Sequence, residues 1–296
     1  MTVPTVWRLH IKQEPHVKVP DRCRFCVEDD ISGVGWGVPP HEAMQWSDYC
    51  ERAVPRYGRV NGNVRRLQED VKCGDLIWSR DTKGKYYLGR ILDGWEYRHS
   101  NGHEAADIHN VRPCNWQLVG DMTEVPGTVR NAFIRGQTLR AIRDETVIWF
   151  SMDLFNRLTG CSHYQPPKIE RNLLSLLDPD ACEDLVGIYL QSRGWILFPS
   201  TCKTETQNYE FILRHRVTRR MAAVQVKQGR QELVISEYEE FDGDIFLFQT
   251  EDRYKGTATK HTTTLLTSDE MKSFCIKNVD TMPTPIQRWV QLVMGL

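Results

Sequence analysis

The sequence predicts a two-domain protein in which a small, β-rich barrel precedes an α/β domain. Its 296 residues are enough for two domains with separate cores. The part before residue 120 contains short runs of alternating apolar and polar residues with many aromatic side chains, a pattern typical of small barrels. After residue 168, helical and strand patterns alternate, as they do in α/β folds.

Composition and charge restrict the possible functions. The formal net charge is −1, so any contact with nucleic acid has to come from local basic patches. No apolar run approaches the roughly 18 residues of a membrane helix, and no basic and apolar leader is present, so we expect a cytoplasmic protein. The nine cysteines lack regular spacing, which indicates reduced thiols. Cys23 and Cys26 form half of a zinc motif, and the sequence leaves open whether they bind zinc.

The first domain opens with Trp7, Leu9 and Ile11, whose alternation is typical of a half-buried strand. Ser32–Val38 reads SGVGWGV, and its alternating glycines permit close approach by another strand or by a flat ligand. This stretch lacks the third glycine of a dinucleotide-binding fingerprint, and the chain has no P-loop motif. Further strands are predicted near residues 76–78, 86–92 and 108–116.

Residues 5 to about 119 resemble the PUA-like superfamily, and most of all its EVE-type members. The resemblance implies a small barrel with a pocket for a flipped, modified base. Such a base needs aromatic planes against its faces, and Trp36, Trp95 and Tyr97 are the candidates for this base-binding role. Core packing is the alternative for each of the three. The motifs that carry the resemblance are Gly33-Val34-Gly35-Trp36, Gly74-Asp75-Leu76-Ile77-Trp78, Tyr87-Leu88-Gly89-Arg90-Ile91 with Trp95-Glu96-Tyr97, and His109-Asn110-Val111-Arg112.

A helical linker is predicted between the two domains. A Pro-Gly turn lies within residues 124–128, and Pro166-Pro167 marks the end of the linker. The predicted domains are therefore 1–125 for the base reader, 126–167 for the linker and 168–296 for the second domain. A first basic patch is formed by Arg130, Arg135, Arg140 and Arg143.

The second domain contains the polar residues of greatest interest. Asp178 and Pro179 predict the start of an amphipathic helix, and Glu183 lies beside its apolar stripe. Two strands follow, Tyr209–Leu213 and Ala222–Lys227. The second strand alternates buried apolar residues with polar Gln225 and Lys227, a placement that is costly without a purpose. The stripe of the helix consists of Cys182, Leu185, Val186, Tyr189 and Leu190.

These strands carry the chemical groups of a magnesium site. A hard divalent cation prefers oxygen ligands, which the carboxylate of Glu210, the amide of Gln225 and the backbone carbonyl of Val226 supply. Lys227 would orient the attacking water or stabilise the developing charge. The site requires Glu210 to share a face with Gln225 and Lys227, and the sequence does not fix that register. The alternative is an edge hairpin in which Glu210 and Lys227 only pair across strands, a contact of about 0.2–1 kcal/mol.

The segment from about residue 170 to residue 248 resembles the PD-(D/E)XK nucleases, in particular the Mrr-like restriction endonucleases with Gln-x-Lys. The resemblance implies that Glu210 is the main metal ligand, Gln225 a second ligand, Lys227 the water-orienting cation and Glu183 an accessory ligand. The first acid of this family is usually Asp, whereas here it is Glu210. A basic turn beside this site is the candidate DNA-binding element, or simply a solvated tip. It contains Arg214, Arg216, Arg219 and Arg220.

The combined prediction is a modification-dependent DNA endonuclease that uses Mg²⁺ as cofactor. Its partner is double-stranded DNA with modified bases, and because one such domain cuts one strand, a homodimer is expected at least on DNA. Two other functions stay open. One is a non-catalytic nucleic-acid reader on a nuclease-like scaffold, and the other is a nuclease effector activated by a small nucleotide held in the barrel pocket.

Overall fold

The computed structural model describes residues 3–39, 44–134, 137–166, 171–203 and 209–295. The chain forms two compact units of mixed α/β structure. The first unit contains residues 1–125 and 129–169, and the second contains residues 126–128 and 170–296. None of the described helices is long and apolar enough to cross a lipid bilayer.

The first unit is built on one curled sheet with helices. Its strands are β1 (Val6–Leu9), β2 (Ile31–Val34), β3 (Leu76–Arg80), β4 (Tyr86–Ile91), β5 (Glu96–Tyr97), β6 (Asn110–Gly120) and β7 (Leu139–Ile142). Its helices are α1 (Arg22–Glu28), α2 (Trp46–Tyr57), α3 (Gly62–Glu69), α4 (Asn101–Ala106) and α6 (Glu145–Thr159), while α5 (Gly127–Ala132) contains residues of both units.

The strands of this sheet follow the order β2-β6-β4-β3-β1-β7, and β5 pairs with β6. All neighbours are antiparallel except β1 and β3. Within the described residues, β2 and β7 end this path without pairing with each other. Hydrogen bonds therefore do not close the sheet into the barrel that the sequence predicts.

The two faces of the sheet are covered by different helices. Trp7, Leu9 and Ile77 belong to a core cluster that includes Val64 and Leu67 of α3. On the opposite face, the fully buried Trp78 donates a hydrogen bond from Nε1 to Oγ of Ser151 on α6, at 3.0 Å. Alternation along β1 and β3 therefore divides their side chains between two cores.

The segment predicted as a separate helical linker belongs mostly to the first unit. Its strand β7 pairs with β1 from Val6 to Leu9, and its helix α6 packs on β4 and β6. The linker prediction, 126–167, is corrected here because Leu139 and Ile142 are buried in the sheet and Phe155 of α6 is fully buried. Arg135 and Pro167 lie outside the described residues.

The second unit contains a mixed sheet with helices packed on it. Its helices are α7 (Leu173–Leu176), α8 (Pro179–Ser192), α9 (Ser268–Lys277) and α10 (Thr284–Met294). Its strands are β8 (Trp195–Leu197), β9 (Phe211–His215), β10 (Met221–Lys227), β11 (Leu233–Val234), β12 (Asp244–Gln249), β13 (Tyr254–Lys255) and β14 (Thr263–Leu266).

Strand β10 is the middle strand of the larger sheet. The order is β14-β12-β10-β9-β8, with β10 antiparallel to β9 and parallel to β12. Helix α8 packs against β8 and β10, as its predicted apolar stripe requires. The prediction of this helix is confirmed: Asp178 accepts a hydrogen bond from the backbone N–H of Ala181 at 2.9 Å and caps its first turn. All five residues of the stripe are buried.

Candidate active site

The structure brings Glu210, Gln225 and Lys227 to one place. Phe211 of β9 lies opposite Val224 of β10, so Glu210, which directly precedes β9, lies opposite Gln225. The amide Nε2 of Gln225 donates to Oε1 of Glu210 at 2.5 Å, and Nζ of Lys227 lies 3.7 Å from the same oxygen. The condition that these three side chains share a face is met. Glu210 itself stands just outside the strand on which the sequence places it.

The amide of Gln225 lies between two oxygens that suit a hard cation. Its side chain is only 2% exposed, and Nε2 also donates to the backbone carbonyl of Val226 at 3.2 Å. The Glu210 carboxylate oxygen and the Val226 carbonyl oxygen therefore point at one position. In this structure the amide nitrogen of Gln225 occupies that position and donates to both oxygens. Oxygen donors of these two kinds are the ligands that Mg²⁺ and Ca²⁺ prefer. Rotation of the amide would add its own oxygen, so the donor set fits such an ion.

Glu183 approaches the same group of residues from α8. Its side chain is half-buried, and burial raises the pKa of its carboxyl to about 7, with a further upward contribution from the charge of Glu210. Lys227 acts in the opposite direction on this pKa. The pKa of the Glu183 carboxyl therefore responds to the charges of both Glu210 and Lys227. A perturbed carboxyl beside other charged groups is typical of functional sites.

The ligand set at this place is unusual for a metal site. Within the described part of the chain, no group of three or more His, Cys, Asp or Glu side chains is close enough to hold a metal ion. A cation held by Glu210 would therefore depend on amide and carbonyl oxygens as well as carboxylates. Cys23 and Cys26 lie on α1 as buried thiols, and burial raises the pKa of Cys23 to about 12.

We expect the titration of Glu183 to affect stability. Its pKa of about 7 in the folded protein exceeds the ordinary 4.5, so the folded state keeps its proton longer than the unfolded chain. The contribution of this carboxyl to the free energy of unfolding therefore falls as the pH rises from about 4.5 to about 7. In metal-free buffer, the Tm of Glu183→Gln minus the Tm of the wild type should therefore be more positive at pH 8 than at pH 5. Equal pH dependence in Glu183→Gln, the wild type and an exposed control, Glu232→Gln, would contradict this prediction.

The basic turn lies away from these residues, not beside them as the sequence predicts. The turn joins the end of β9 to the start of β10, whereas Glu210 and Lys227 stand at the opposite end of this hairpin. The separation is about five residues, or roughly 15–20 Å along the strands. Arg220 also pairs with Asp244, with 2.6 Å between Nη2 and Oδ1. The four predicted DNA-binding residues, Arg214, Arg216, Arg219 and Arg220, are all exposed.

The first unit contains a cavity of about 600 Å³ that Trp36 lines. Trp36 has a φ of 61°, which is strained for a bulky residue, and such strain occurs frequently at functional sites. The glycines on either side are needed for close approach. A Cβ on Gly35 would lie 2.5 Å from Asp107, and one on Gly37 would lie 2.5 Å from the ring of His109. Asp107 and His109 also line the cavity.

Trp95 and Tyr97, the other predicted base-binding residues, are not among the residues that line this cavity. The ring of Trp95 packs edge-on against Trp46, with 5.2 Å between centroids. Tyr97 binds the backbone of Val38 through its hydroxyl and stacks on His109, with 5.8 Å between centroids. For these two residues the core alternative describes the geometry better. Tyr97 contacts two residues that line the cavity, Val38 and His109.

Sequence reasoning missed several residues that line the cavity. Tyr57 follows from no motif, although its hydroxyl donates to the carbonyl of Gly37 at 2.6 Å. His99 and His109 both line the cavity, and the centroids of their rings are 6.1 Å apart. His109 belongs to the motif His109-Asn110-Val111-Arg112, and this was the sequence signal that could have identified it as a residue of the cavity.

Comparisons with known proteins give one weak structural neighbour. No family model and no curated protein matches the chain. A solved structure that matches is the DNA modification-dependent restriction endonuclease AspBHI, at 10% sequence identity over 90% of this chain and 79% of that chain, with a TM-score of 0.24. A TM-score this low carries no weight for function, so the residues of this chain have to support the functional conclusion themselves.

Proposed function

We propose that this protein is a metal-dependent endonuclease that cleaves DNA carrying a modified base. The observation that supports the proposal most is the meeting of Glu210, Gln225 and Lys227 around one carboxylate oxygen. A buried amide and a lysine on the middle strand of a sheet are costly to desolvate, and metal-assisted phosphodiester hydrolysis gives both a role. The nearby Glu183, with its raised pKa, adds a second carboxyl to the group.

Each residue has a defined part in this proposal. Glu210, the Gln225 amide oxygen and the Val226 carbonyl would hold magnesium, with Glu183 as an accessory ligand. Magnesium, when bound, supplies Lewis-acid stabilisation of the phosphate and a more acidic water. Lys227, whose Nζ lies 3.7 Å from Glu210, is placed to orient the attacking water and to stabilise negative charge on the phosphate. Gln225 changes from donor to ligand by rotation of its amide.

The first unit would select the DNA as a PUA/EVE-like reader. Its cavity of about 600 Å³ is large enough for a base, and Trp36, Tyr57, His99 and His109 line it with aromatic rings. A base that leaves the duplex needs such rings against its faces. Each second unit has one cleavage site and cuts one strand, so a double-strand break requires two copies on the DNA.

Cleavage of matched duplexes tests this function directly. We expect the wild type to cut DNA containing methylated or hydroxymethylated cytosine when Mg²⁺ is present and not when EDTA is present, and to cut the unmodified duplex poorly. Trp36→Ala should remove the preference for the modified duplex, whereas the control Trp95→Phe should keep it. Absence of cutting on every duplex at every Mg²⁺ concentration would contradict the nuclease assignment.

A second candidate function is a reader without catalysis. It is favoured by the absence, among the described residues, of a group of three acidic, histidine or cysteine ligands. The Glu210 carboxylate is also already engaged by Gln225 and Lys227. Retained binding of modified DNA without Mg²⁺-dependent cutting would support this alternative.

A further inference from the structure

A cluster of cationic side chains lies on one face of the first unit's sheet, outside the cavity described above. Arg8 on β1 lies directly opposite Arg140 on β7. Arg80 ends β3, the strand on the other side of β1. His10 follows Arg8 on the same side, and burial together with the charges of Arg8, Lys12 and Arg80 lowers its pKa. These contacts place positive charge from three adjacent strands in one area.

Arg8 is wholly buried and uses only part of its hydrogen-bonding capacity. Nη1 donates to the backbone carbonyls of Gln137 and Thr138. Nε and Nη2 are buried and have no hydrogen-bond partner within the described structure. These two groups lie on the same edge of the guanidinium. That edge binds a carboxylate or phosphate through two parallel hydrogen bonds.

The arrangement is unfavourable unless an anion completes it. Like charges directly opposite each other in a sheet destabilise it, and a buried cation without a counter-ion is costly. Burial and the charge of Arg140 lower the pKa of Arg8 to about 10. The ring of Phe133 lies 5.7 Å from the Arg8 guanidinium, but an aromatic face only partly replaces an anion. Among the described residues, no carboxylate forms an ion pair with Arg8, Arg80 or Arg140.

We propose that Arg8, Arg80 and Arg140 form a phosphate-binding site that holds one phosphate of the DNA backbone. Arg80 and Arg140 are exposed and make the first contact. Because Arg8 is fully buried, its unused edge reaches the phosphate only after a local rearrangement of the side chains around it. Guanidinium groups match phosphate geometry better than ammonium groups do. Exposed arginines on an open surface suit a polymer backbone. The identity of the phosphate's carrier rests on the proposed function, whereas the existence of the site does not.

The first measurement tests the site without DNA. We expect inorganic phosphate to raise the Tm of the wild-type protein above its value in chloride at equal ionic strength. The double variant Arg80→Gln/Arg140→Gln, both at exposed positions, should lose this shift. Arg8→Lys, which keeps the charge but removes the fork, should lose most of it. The control Arg65→Gln lies on α3, on the opposite side of the sheet, and should keep the full shift. Equal shifts in all four proteins would overturn the site.

The second measurement tests whether the phosphate belongs to DNA. The affinity of the full chain for a labelled duplex is measured over a range of salt concentrations, because each phosphate contact contributes about 0.9 to the slope of log K against log salt. The double variant should lose about one unit of slope with modified and unmodified duplexes alike, and Arg65→Gln should lose none. The double variant could instead lose the Tm shift with phosphate and keep the wild-type salt slope of DNA binding. That result would overturn the DNA assignment and indicate a small phosphorylated ligand. If the wild type and the double variant bind DNA with the expected salt slopes but neither cleaves it, the proposed nuclease function is rejected and the phosphate-binding site is retained.

Discussion

Replacing Lys227 or Glu210 by alanine is expected to abolish DNA cleavage while DNA binding is retained. Glu210 is the carboxylate on which Gln225 and Lys227 converge, so its removal leaves the proposed metal without its main ligand. Loss of Lys227 removes the cation that is proposed to orient water and stabilise charge. Each change should lower the single-turnover rate about a hundred-fold or more. The measurement is cleavage of a modified duplex with enzyme in excess over DNA.

Exposed residues of the same kinds provide matched controls. Lys255→Ala on β13 and Glu232→Ala remove a lysine and a glutamate from exposed positions of the second unit. Both should cut at the wild-type rate. Binding is followed separately by fluorescence anisotropy in EDTA. Cleavage by Lys227→Ala at the wild-type rate would remove this lysine from the mechanism, and a parallel loss of binding would indicate a structural role instead.

Replacing Asp75 is expected to destabilise the first unit more than any exposed substitution in it. Its buried carboxylate accepts three hydrogen bonds, from the backbone N–H groups of Thr5 and Lys72 and from the indole Nε1 of Trp7, at 2.8–2.9 Å. Asp75→Ala leaves these donors without an acceptor. The free energy of unfolding should fall by about 4 kcal/mol, because buried hydrogen bonds to charged groups are the costly ones to lose.

The isosteric variant makes this test sharper. Asp75→Asn keeps the size of the side chain but turns one acceptor oxygen into a donor, so it should also destabilise the unit. The exposed Asp70→Ala, which loses only a weak ion pair to Arg66 at 3.7 Å, should change the free energy of unfolding by no more than about 0.5 kcal/mol. Urea unfolding followed by tryptophan fluorescence gives these values. Near wild-type stability of both Asp75 variants would contradict the expected cost of losing these three hydrogen bonds.

The parts of the second unit that depend on local pattern were predictable from the sequence. Helix α8 has a cap, a proline in its first turn and a stripe at helical spacing, and all three appear in the structure. Strand β10 follows from its alternation, which also puts Gln225 and Lys227 on one side. The position of Glu210 was not predictable in the same way. It depends on the length of the turn between β9 and β10, which alternation alone does not determine.

Contacts between segments far apart in the chain explain the larger differences between the sequence predictions and the structure. Strand β7 is only four residues long, LRAI, and nothing local in it indicates that it pairs with β1 some 130 residues earlier. The cavity of the first unit likewise takes its lining from segments far apart in the chain, including Trp36, Tyr57 and His109. The identity of an aromatic residue cannot reveal whether it packs only in the core, as Trp95 does, or also borders a cavity, as Trp36 does.

The pairing of β10 bears on how firmly the proposed catalytic groups are held. Ala222 to Val224 pair with β9 on one side and with β12 on the other, whereas Gln225 to Lys227 pair with β12 after β9 has ended. Local opening of the main chain is therefore expected to cost less free energy at Gln225 and Val226 than in the middle of β10. Under the proposed function, adjustment to a bound metal or DNA would fall on the side chains and on this end of β10, while the middle of the strand keeps both partners.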